Sequence, residues 1–271
     1  MLLGGILLLA AAVAVLLCLG TGLWWLLPVG FLAAVVVLLA LAFGFLWLMC
    51  CIVDPSRPQE HDSKFYRTML KLYIELLVRL LRIRVHTVGT EKLPKEGRFL
   101  LVSNHIHDSD PAVFLHIFPK SQLAFISKRE VSSMFLVGKI MHKLLCQPIN
   151  RENDREALKT ILKCIQLIKD DEVSVAVFPE GYIRDNRKLH HFRHGVFKIA
   201  TKAKVPIVVC TLQNTNHIFE NALKLKPTDV HLHLLDVIQP DAYADMTTVD
   251  LSEKIYRMMA EDLGPELVAQ E

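Results

Sequence analysis

The first 53 residues contain no Asp, Glu, Lys or Arg, so all 31 basic and 28 acidic side chains lie from Asp54 onward. The absence of charge over so long a stretch predicts a membrane segment, because the bilayer core excludes ionised groups. A basic region ahead of the apolar run is also missing, and the run is longer than that of a cleaved signal peptide. The sequence therefore predicts a membrane part over residues 1–54, joined to a soluble part.

The chain also lacks the patterns of several other protein classes. Its six cysteines show no Cys-x-x-Cys spacing, and three of them fall in or at the membrane segment. Neither a disulfide framework nor a zinc knuckle is therefore indicated. Lys and Arg nearly balance Asp and Glu, 31 against 28. This balance gives no indication of nucleic acid as a partner, and we expect none.

The membrane segment is divided near its middle by Pro28 and Gly30. Each half is longer than the ~20 residues that an α-helix needs to cross a bilayer core. A proline at this point predicts the tip of a helical hairpin, with Trp24 and Trp25 near the tip and Trp47 near the other end as interfacial anchors. One spanning helix with a re-entrant piece is the alternative.

The orientation of the hairpin follows from its flanking charges. The tip carries no charge, whereas Arg57, Lys64, Arg67 and Lys71 follow the second half. Because basic loops stay on the cytoplasmic side, both hairpin ends and the soluble part are predicted to be cytoplasmic. We therefore expect a membrane protein whose catalytic domain lies on the cytoplasmic face.

Residues 55–84 are predicted to form a linker followed by an amphipathic helix over 66–84. The helix is apolar except for one stripe of charged residues at spacings of three and four, namely Arg67, Lys71, Glu75, Arg79 and Arg82. The stripe is typical either of an interfacial helix whose basic edge touches anionic headgroups or of a helix packed on the domain with a solvated edge. Its position directly after a membrane hairpin favours the interfacial helix.

Residues 85–271 alternate between strand and helix patterns. Apolar runs predict buried strands at 98–103, 173–178, 206–212 and 230–238. Helices are predicted from Pro111 onward, over 154–171 and over 251–263. The alternation predicts an α/β domain, with a mostly buried mixed sheet flanked by helices.

Two polar clusters directly follow predicted strands. "NHIHDSD" (104–110) follows the first strand and "PEGYIR" (179–184) follows the second. In open α/β sheets the reactive crevice lies beyond the carboxyl ends of the strands. We therefore expect both clusters to belong to one site.

The cluster at 104–110 permits a metal-site interpretation. His105-Ile106-His107 begins like the His-x-His-x-Asp-His motif of metallo-hydrolases, but Ser109 and Asp110 stand where the motif has Asp and His. No compact second group of ligands completes the coordination sphere. The sequence therefore predicts no metal.

A proton-transfer pair is the second interpretation, with His105 as base and Asp110 as orienting acid. Residues five apart on an ideal helix point roughly 140° away from each other. The pair can form only if the chain turns between them, and Pro111 favours such a turn with Asp110 as the helix cap. A polar loop without chemistry is the remaining possibility.

Four stretches now follow one another along the chain: "NHIHDSD" (104–110), "CQPINR" (146–151), "FPEG" (178–181) and "VPI" (205–207). In this order they resemble the motif blocks of the glycerolipid acyltransferases, whose best-known members are 1-acyl-sn-glycerol-3-phosphate (lysophosphatidic acid) acyltransferases. The resemblance covers roughly residues 85–240. HxxxxD alone is a weak signal, whereas HxxxxD followed by FPEG on α/β strands is a strong one.

The chain departs from the family pattern at three points. His107 stands where the family often has Ser, and Leu145 stands where the second block usually opens with Gly. Tyr182 and Ile183 push the arginine of the third block to Arg184. These departures concern how the acceptor phosphate is held, and hence which acceptor is used.

The resemblance implies an O-acyltransferase of phospholipid biosynthesis. It would transfer a fatty acyl group from acyl-CoA or acyl carrier protein, as co-substrate, to a lysophospholipid hydroxyl. The acceptor most in keeping with the resemblance is 1-acylglycerol-3-phosphate, which would give phosphatidic acid. No cofactor is implied, and the partners expected are the lipid bilayer, the lysophospholipid acceptor and the acyl donor.

The resemblance also implies roles for individual residues. His105 would be the base and Asp110 its orienting partner. The other residues expected to bind substrate are Glu180, Gly181, Arg151, Arg184 and, more weakly, Lys128. His107 and Asp108 are expected to form the pocket wall or to satisfy the loop.

Three alternatives stay open at this point. The acceptor could be glycerol-3-phosphate or a different lysophospholipid. The protein could instead be a membrane-anchored metallo-hydrolase using His105, His107 and Asp110. It could also be a lipid-binding scaffold in which the site has decayed.

Overall fold

The computed structural model describes residues 2–184 and 186–269. Its helices are α1 (Leu2–Thr21), α2 (Leu27–Ile52), α3 (Lys64–Leu80), α4 (Asp110–Ile117), α5 (Arg129–Ser132), α6 (Phe135–Lys143), α7 (Asp154–Lys169), α8 (Lys198–Ala203), α9 (Ile218–Leu223) and α10 (Thr248–Leu263). Its strands are β1 (Ile83–Val88), β2 (Leu100–Ser103), β3 (Leu123–Lys128), β4 (Gln147–Ile149), β5 (Ser174–Val177), β6 (Ile207–Gln213) and β7 (Thr228–Ile238).

The strands form one sheet in the order β1-β7-β6-β2-β5-β3-β4. All neighbouring strands are parallel except β6 and β7, which pair antiparallel. The predicted mixed α/β fold is therefore confirmed. The two strands that carry the polar clusters, β2 and β5, are neighbours near the centre of the sheet, so their carboxyl ends bring the clusters together.

The hydrophobic core lies on both faces of the sheet. Leu100 and Val102 of β2 pack with apolar residues of α7, α8 and α10 on one face. Phe99 and Leu101 pack with residues of α4 and α9 on the other. This alternation follows from the two-residue period of a strand, and burial on both faces explains why the strands read as continuous apolar runs.

The hairpin predicted at the N-terminus is formed by α1 and α2. Both helices are long enough and apolar enough to cross a membrane. Ile6, Ala10, Ala14 and Cys18, four residues apart, form the buried stripe of α1. Pro28 was predicted at the tip of the hairpin, but it lies in the first turn of α2. A helix tolerates proline there because its first N–H groups have no partner within the helix.

The hairpin is fixed to the rest of the protein along α2. The Tyr66 and Tyr73 hydroxyls of α3 donate to the carbonyl oxygens of Met49 and Ala42 at 2.8 and 2.6 Å. The Trp47 ring also lies 4.3 Å from the ring of Phe135 in α6, centroid to centroid. Helix α3 therefore runs beside the C-terminal half of α2.

The amphipathic helix is shorter than predicted. It ends at Leu80, Arg82 has a positive φ of 55°, and the chain enters β1 at Ile83. Residues 83 and 84, predicted as helix, are strand because they pair with Thr228 and Asp229 of β7. This long-range pairing decides the boundary, and helical periodicity cannot reveal it.

The charged stripe is also not continuous. Arg67 pairs with Asp62 at 2.7 Å, and the two side chains are only 14% and 3% exposed. Arg67 also donates to the carbonyl of Leu123 in β3. The prediction that Arg67 lies on an exposed stripe is therefore wrong, because this guanidinium joins α3 to the sheet.

Candidate active site

The loop after β2 begins with an asparagine anchored to the next strand of the sheet. The Asn104 side chain donates to the carbonyl of Leu212 and accepts from its N–H, both at 2.8 Å. These bonds replace the ladder bonds that β2 no longer forms, so the chain can leave the sheet without stranding buried polar groups. The position of His105 is set by this anchor.

The chain then turns back into α4. Asp110 donates its N–H to the carbonyl of His107 and is the first residue of the helix. Ser109, not Asp110 as predicted, occupies the cap position, and Pro111 follows in the first turn. The turn places His105 and Asp110 side by side although they are five residues apart.

The Asp110 carboxylate is fully buried and is held by hydrogen bonds at both oxygens. Its Oδ2 atom lies 2.8 Å from Nδ1 of His105 and also accepts from the backbone N–H groups of Ile106 and His107. Its Oδ1 atom accepts from the hydroxyl of Thr215. These hydrogen bonds satisfy the buried carboxylate and fix its position beside the His105 ring.

The His105 ring is oriented by two contacts. Its Nδ1 faces Asp110, and its plane stacks on the Phe178 ring with centroids 4.1 Å apart. The imidazole is 16% exposed. Because Nδ1–H is directed to the carboxylate, Nε2 is the nitrogen that remains to accept a proton.

Glu180 joins the two polar clusters. Its Oε1 atom accepts from the backbone N–H of His105 at 2.8 Å, and its Oε2 atom accepts from that of His190 at 3.0 Å. Burial, with a smaller contribution from the charge of Asp110, raises the pKa of Glu180 to about 7. The carboxylate predicted to contact substrate thus also braces the backbone of His105, the predicted base.

Gly181 has a φ of +92°, a backbone conformation that favours glycine. A Cβ atom at this position would lie 3.1 Å from Nε of Arg193. Any other residue would therefore strain the backbone and crowd the arginine side chain. The absence of a side chain at Gly181 lets the Arg193 side chain pack directly against the backbone of the turn.

A cavity of about 690 Å³ opens beside the FPEG turn, and we call it the cationic cavity. Ile149, Phe178 and other apolar side chains form part of its wall. Its charged wall residues are Arg151, Arg193, Lys198 and Asp154. Its volume is typical of a pocket for a small ligand.

The predicted phosphate-binding residues do not all meet at this cavity. Arg151 lies in the wall, whereas Arg184 does not, and its guanidinium lies 4.2 Å from the centroid of the Tyr182 ring. Lys128 is exposed at the end of β3, where it caps α5. The arginine that accompanies Arg151 is Arg193, whose Nη1 donates to the backbone oxygen of Arg151 at 3.4 Å.

Two residues of the site were missed by sequence reasoning. Thr215 follows β6, and Arg193 lies fourteen residues beyond Pro179. Neither residue belongs to a motif. Their positions beside the site depend on the order of the strands in the sheet. The only signal for Thr215 was its position after a buried strand that ends at the same edge of the sheet.

His107 and Asp108 occupy the loop surface. The Nδ1 atom of His107 lies 2.9 Å from the hydroxyl of Ser109, and its ring faces that of Phe219 at 5.6 Å. Asp108 is exposed. Over residues 2–184 and 186–269, no group of three or more His, Cys, Asp and Glu side chains is arranged to hold a metal ion.

Comparison with known proteins agrees with this geometry. The model of the family described as Acyltransferase matches residues 83–213. A Borreliella burgdorferi 1-acyl-sn-glycerol-3-phosphate acyltransferase is 26% identical over 179 residues, which are 65% of this chain and 71% of the relative. A Mycoplasma pneumoniae protein named as a probable enzyme of the same kind is 32% identical over 178 residues, 64% of each chain.

The fold has a counterpart among solved structures. The crystal structure of the 1-acyl-sn-glycerophosphate acyltransferase PlsC from Thermotoga maritima superimposes with a TM-score of 0.61 at 21% identity, covering 81% of this chain and 86% of that one. At this identity the likeness establishes the fold. The resemblance predicted from the motif blocks is confirmed by the family match and the named relatives.

Proposed function

Because residues 83–213 form a domain of the acyltransferase family, we propose that this protein transfers a fatty acyl group from a thioester to the free hydroxyl of 1-acylglycerol 3-phosphate, giving phosphatidic acid. The observation that carries the proposal is the buried His105–Asp110 pair, with its 2.8 Å contact between Nδ1 and Oδ2. The names of the relatives support the choice of acceptor. Acyl-CoA and acyl carrier protein are the two donors that fit the chemistry.

In the proposed mechanism the acceptor hydroxyl attacks the carbonyl carbon of the thioester. Nε2 of His105 takes the hydroxyl proton as the new C–O bond forms, and Asp110 stabilises the resulting imidazolium. The tetrahedral intermediate then breaks its C–S bond, and the thiolate leaves with the proton held by His105. No acyl-enzyme is needed, because the substrate hydroxyl takes the place of a serine nucleophile.

The substrate-binding residues have proposed roles around this pair. Glu180 and Gly181 hold the turn beside the base, and Arg151 binds the acceptor phosphate, for which a guanidinium fork is suited. Arg184 and Lys128 lie outside the cavity wall and would contribute to the positive field that attracts an anionic substrate. No metal or organic cofactor enters the mechanism.

The apolar hairpin is proposed to hold the enzyme at the bilayer. Each buried methylene is worth about 0.8 kcal/mol, so the long-chain acceptor and product stay in the membrane. An enzyme anchored at the cytoplasmic face meets the lipid acceptor in the bilayer and the donor from the cytosol. Protease treatment of sealed inside-out and right-side-out vesicles tests this orientation, and cleavage of the 85–271 part only in right-side-out vesicles would contradict it.

The test of the function is an acyl-transfer assay on membranes that contain the full chain, with labelled acyl-CoA and a panel of lysophospholipids and glycerol 3-phosphate. Wild-type protein should produce labelled phosphatidic acid, and the variant His105→Ala should not. His107→Ala, which alters the next histidine of the loop, is the matched control. Activity of H105A at the wild-type rate would overturn the assignment of the base.

A further inference from the structure

Arg151 and Arg193 both line the cationic cavity. Nη1 of Arg193 reaches the backbone oxygen of Arg151 at 3.4 Å, and both side chains are part of the cavity wall. Within the described residues, neither guanidinium forms an ion pair. Asp154, the carboxylate of the same wall, is not paired with either of them.

Such a pair of like charges is unfavourable without an anion. Burial, and next the charge of Arg193, lower the pKa of Arg151 from its usual value. An anion bound by both residues would offset both effects, since it supplies the opposite charge and can accept hydrogen bonds from the guanidinium N–H groups. A phosphate suits this position, because its oxygens can accept from two planar forks at once.

We propose that Arg193 is the second guanidinium of a phosphate-binding site, which it forms with Arg151 in the cationic cavity. The proposal rests on the proposed acyl transfer, because the phosphate would belong to one of its substrates. That phosphate is either the phosphate of the lysophospholipid acceptor or one of those in the CoA part of the donor.

The backbone of the FPEG turn supports this role by fixing Arg193. The N–H of Arg193 donates to the carbonyl of Pro179 at 2.9 Å. Its side chain passes over Gly181, where a Cβ atom would lie 3.1 Å from Nε and 3.3 Å from Cδ. The glycine therefore leaves the space through which the arginine reaches the cavity.

The same turn also connects this phosphate site to the base. Glu180 holds the backbone N–H of His105, and Phe178 contributes to the cavity wall while its ring stacks on the imidazole. One aromatic ring thus separates the cavity from His105. A phosphate bound by Arg193 and Arg151 would hold its substrate at a set distance from the base.

The experiment compares Arg193→Gln and Arg193→Lys with Arg187→Gln, which removes an exposed charge from the same loop outside the cavity wall. Kinetics are measured for 1-acylglycerol 3-phosphate and acyl-CoA, and for their phosphate-free counterparts, 1-acylglycerol and an N-acetylcysteamine thioester. R193Q should raise KM for one phosphorylated substrate by about tenfold or more, with a smaller rise in R193K. R187Q should match wild type.

The substrate whose KM rises identifies the source of the phosphate. A rise for 1-acylglycerol 3-phosphate alone assigns the site to the acceptor, and a rise for acyl-CoA alone assigns it to the donor. The proposal is overturned if R193Q leaves both KM values within about twofold of those of R187Q, or if it impairs the phosphate-free substrates equally.

A binding measurement separates this proposal from the proposed function. Calorimetry of the full chain in detergent micelles with sn-glycerol 3-phosphate should show affinity reduced by about tenfold in R193Q and unchanged in R187Q. If wild type bound this probe through Arg193 but transferred no acyl group, the function would be wrong and the site would stand. If the wild type transferred acyl groups normally and R193Q changed neither the binding of the probe nor KM, the proposed function would stand and the phosphate site would be wrong.

Discussion

Nδ1 of His105 lies 2.8 Å from Oδ2 of Asp110, and the same Oδ2 also accepts the backbone N–H groups of residues 106 and 107. The carboxylate therefore shapes the loop as well as orienting the ring. This double role makes the pair sensitive to any change that preserves the size of Asp110 but removes its charge.

We expect Asp110→Asn to lower kcat by a factor on the order of 1,000 while the protein stays folded. The amide cannot stabilise the imidazolium, and it can present an N–H where Nδ1–H needs an acceptor. Acyl-transfer kinetics and a thermal unfolding curve measure the two effects. Asp108→Asn, which changes the exposed aspartate of the same loop, should keep kcat, and an equal loss in both variants would contradict the prediction.

The Thr215 hydroxyl donates to Oδ1 of Asp110, so we expect Thr215 to affect catalysis through that carboxylate. Thr215→Val removes this bond at nearly constant volume and should lower kcat about tenfold with little change in KM. The carboxylate would then be held less firmly beside the imidazole, so kcat should fall while substrate binding stays nearly the same.

The matched control for this change is Thr211→Val. Thr211 is also buried but donates to Asp262, away from the His105 loop. The kcat of this variant should equal that of wild type. A purely structural role of Thr215 would lower the amount of folded protein and leave the kcat of the remaining folded protein unchanged.

Glu180 should make stability depend on pH. Burial raises its pKa from 4.5 to about 7, so the folded protein holds a proton that the unfolded chain releases. The stabilisation is complete below pH 4.5 and is lost as pH rises through 7, a loss of about 3 kcal/mol at most. Denaturant unfolding in micelles between pH 5 and 8 should show this decline in wild type, and a steeper or equal decline in Glu180→Gln would contradict it.

The buried ion pair between Arg67 and Asp62 should matter far more than an exposed one. Arg67→Ala leaves the Asp62 carboxylate, 3% exposed, without its partner and should cost about 3–5 kcal/mol of unfolding free energy. Arg79→Ala, which breaks the more exposed pair with Glu75 on the same helix, should cost less than about 1 kcal/mol. Thermal unfolding of both variants measures the difference.

Chelation distinguishes acyl transfer from the metallo-hydrolase alternative. Nδ1 of His105 is hydrogen-bonded to Asp110, and Nδ1 of His107 is hydrogen-bonded to Ser109. These bonds hold the loop in place without a metal ion. We expect EDTA dialysis to leave acyl-transfer rates unchanged. Loss of activity on dialysis with recovery on adding Zn²⁺ would favour the alternative.

The sequence predicted those parts of the fold that have a local cause. The central strands β2, β5 and β6 were predicted because they are apolar on both faces. The strands β3 and β4 were not predicted, since β3 ends in a charged stretch and β4 has only three residues. The first two residues of β1 were predicted as the end of the amphipathic helix, because the pairing of β1 with β7, far along the chain, overrides the local pattern.

The site shows the same division. Residues within one loop or turn, such as His105, Asp110, Glu180 and Gly181, were predicted as site residues from their spacing and from their place after strands, and the structure brings them together. Arg193 was not identified, and the phosphate clamp was predicted with Arg184 in its place. Arg193 reaches the cavity because its side chain passes over Gly181. The spacing of residues in the sequence does not predict this contact.

The sequence by itself determined the charge-free hairpin segment and the α/β alternation, and it singled out His105 and Asp110 as the proposed base and its orienting partner. These depend on composition and on contacts between near neighbours. Only the tertiary structure decided that α3 lies along α2, that Thr215 supports Asp110, and that Arg193 accompanies Arg151. Each of these contacts joins residues that are distant in the chain, and their approach depends on strand order and packing.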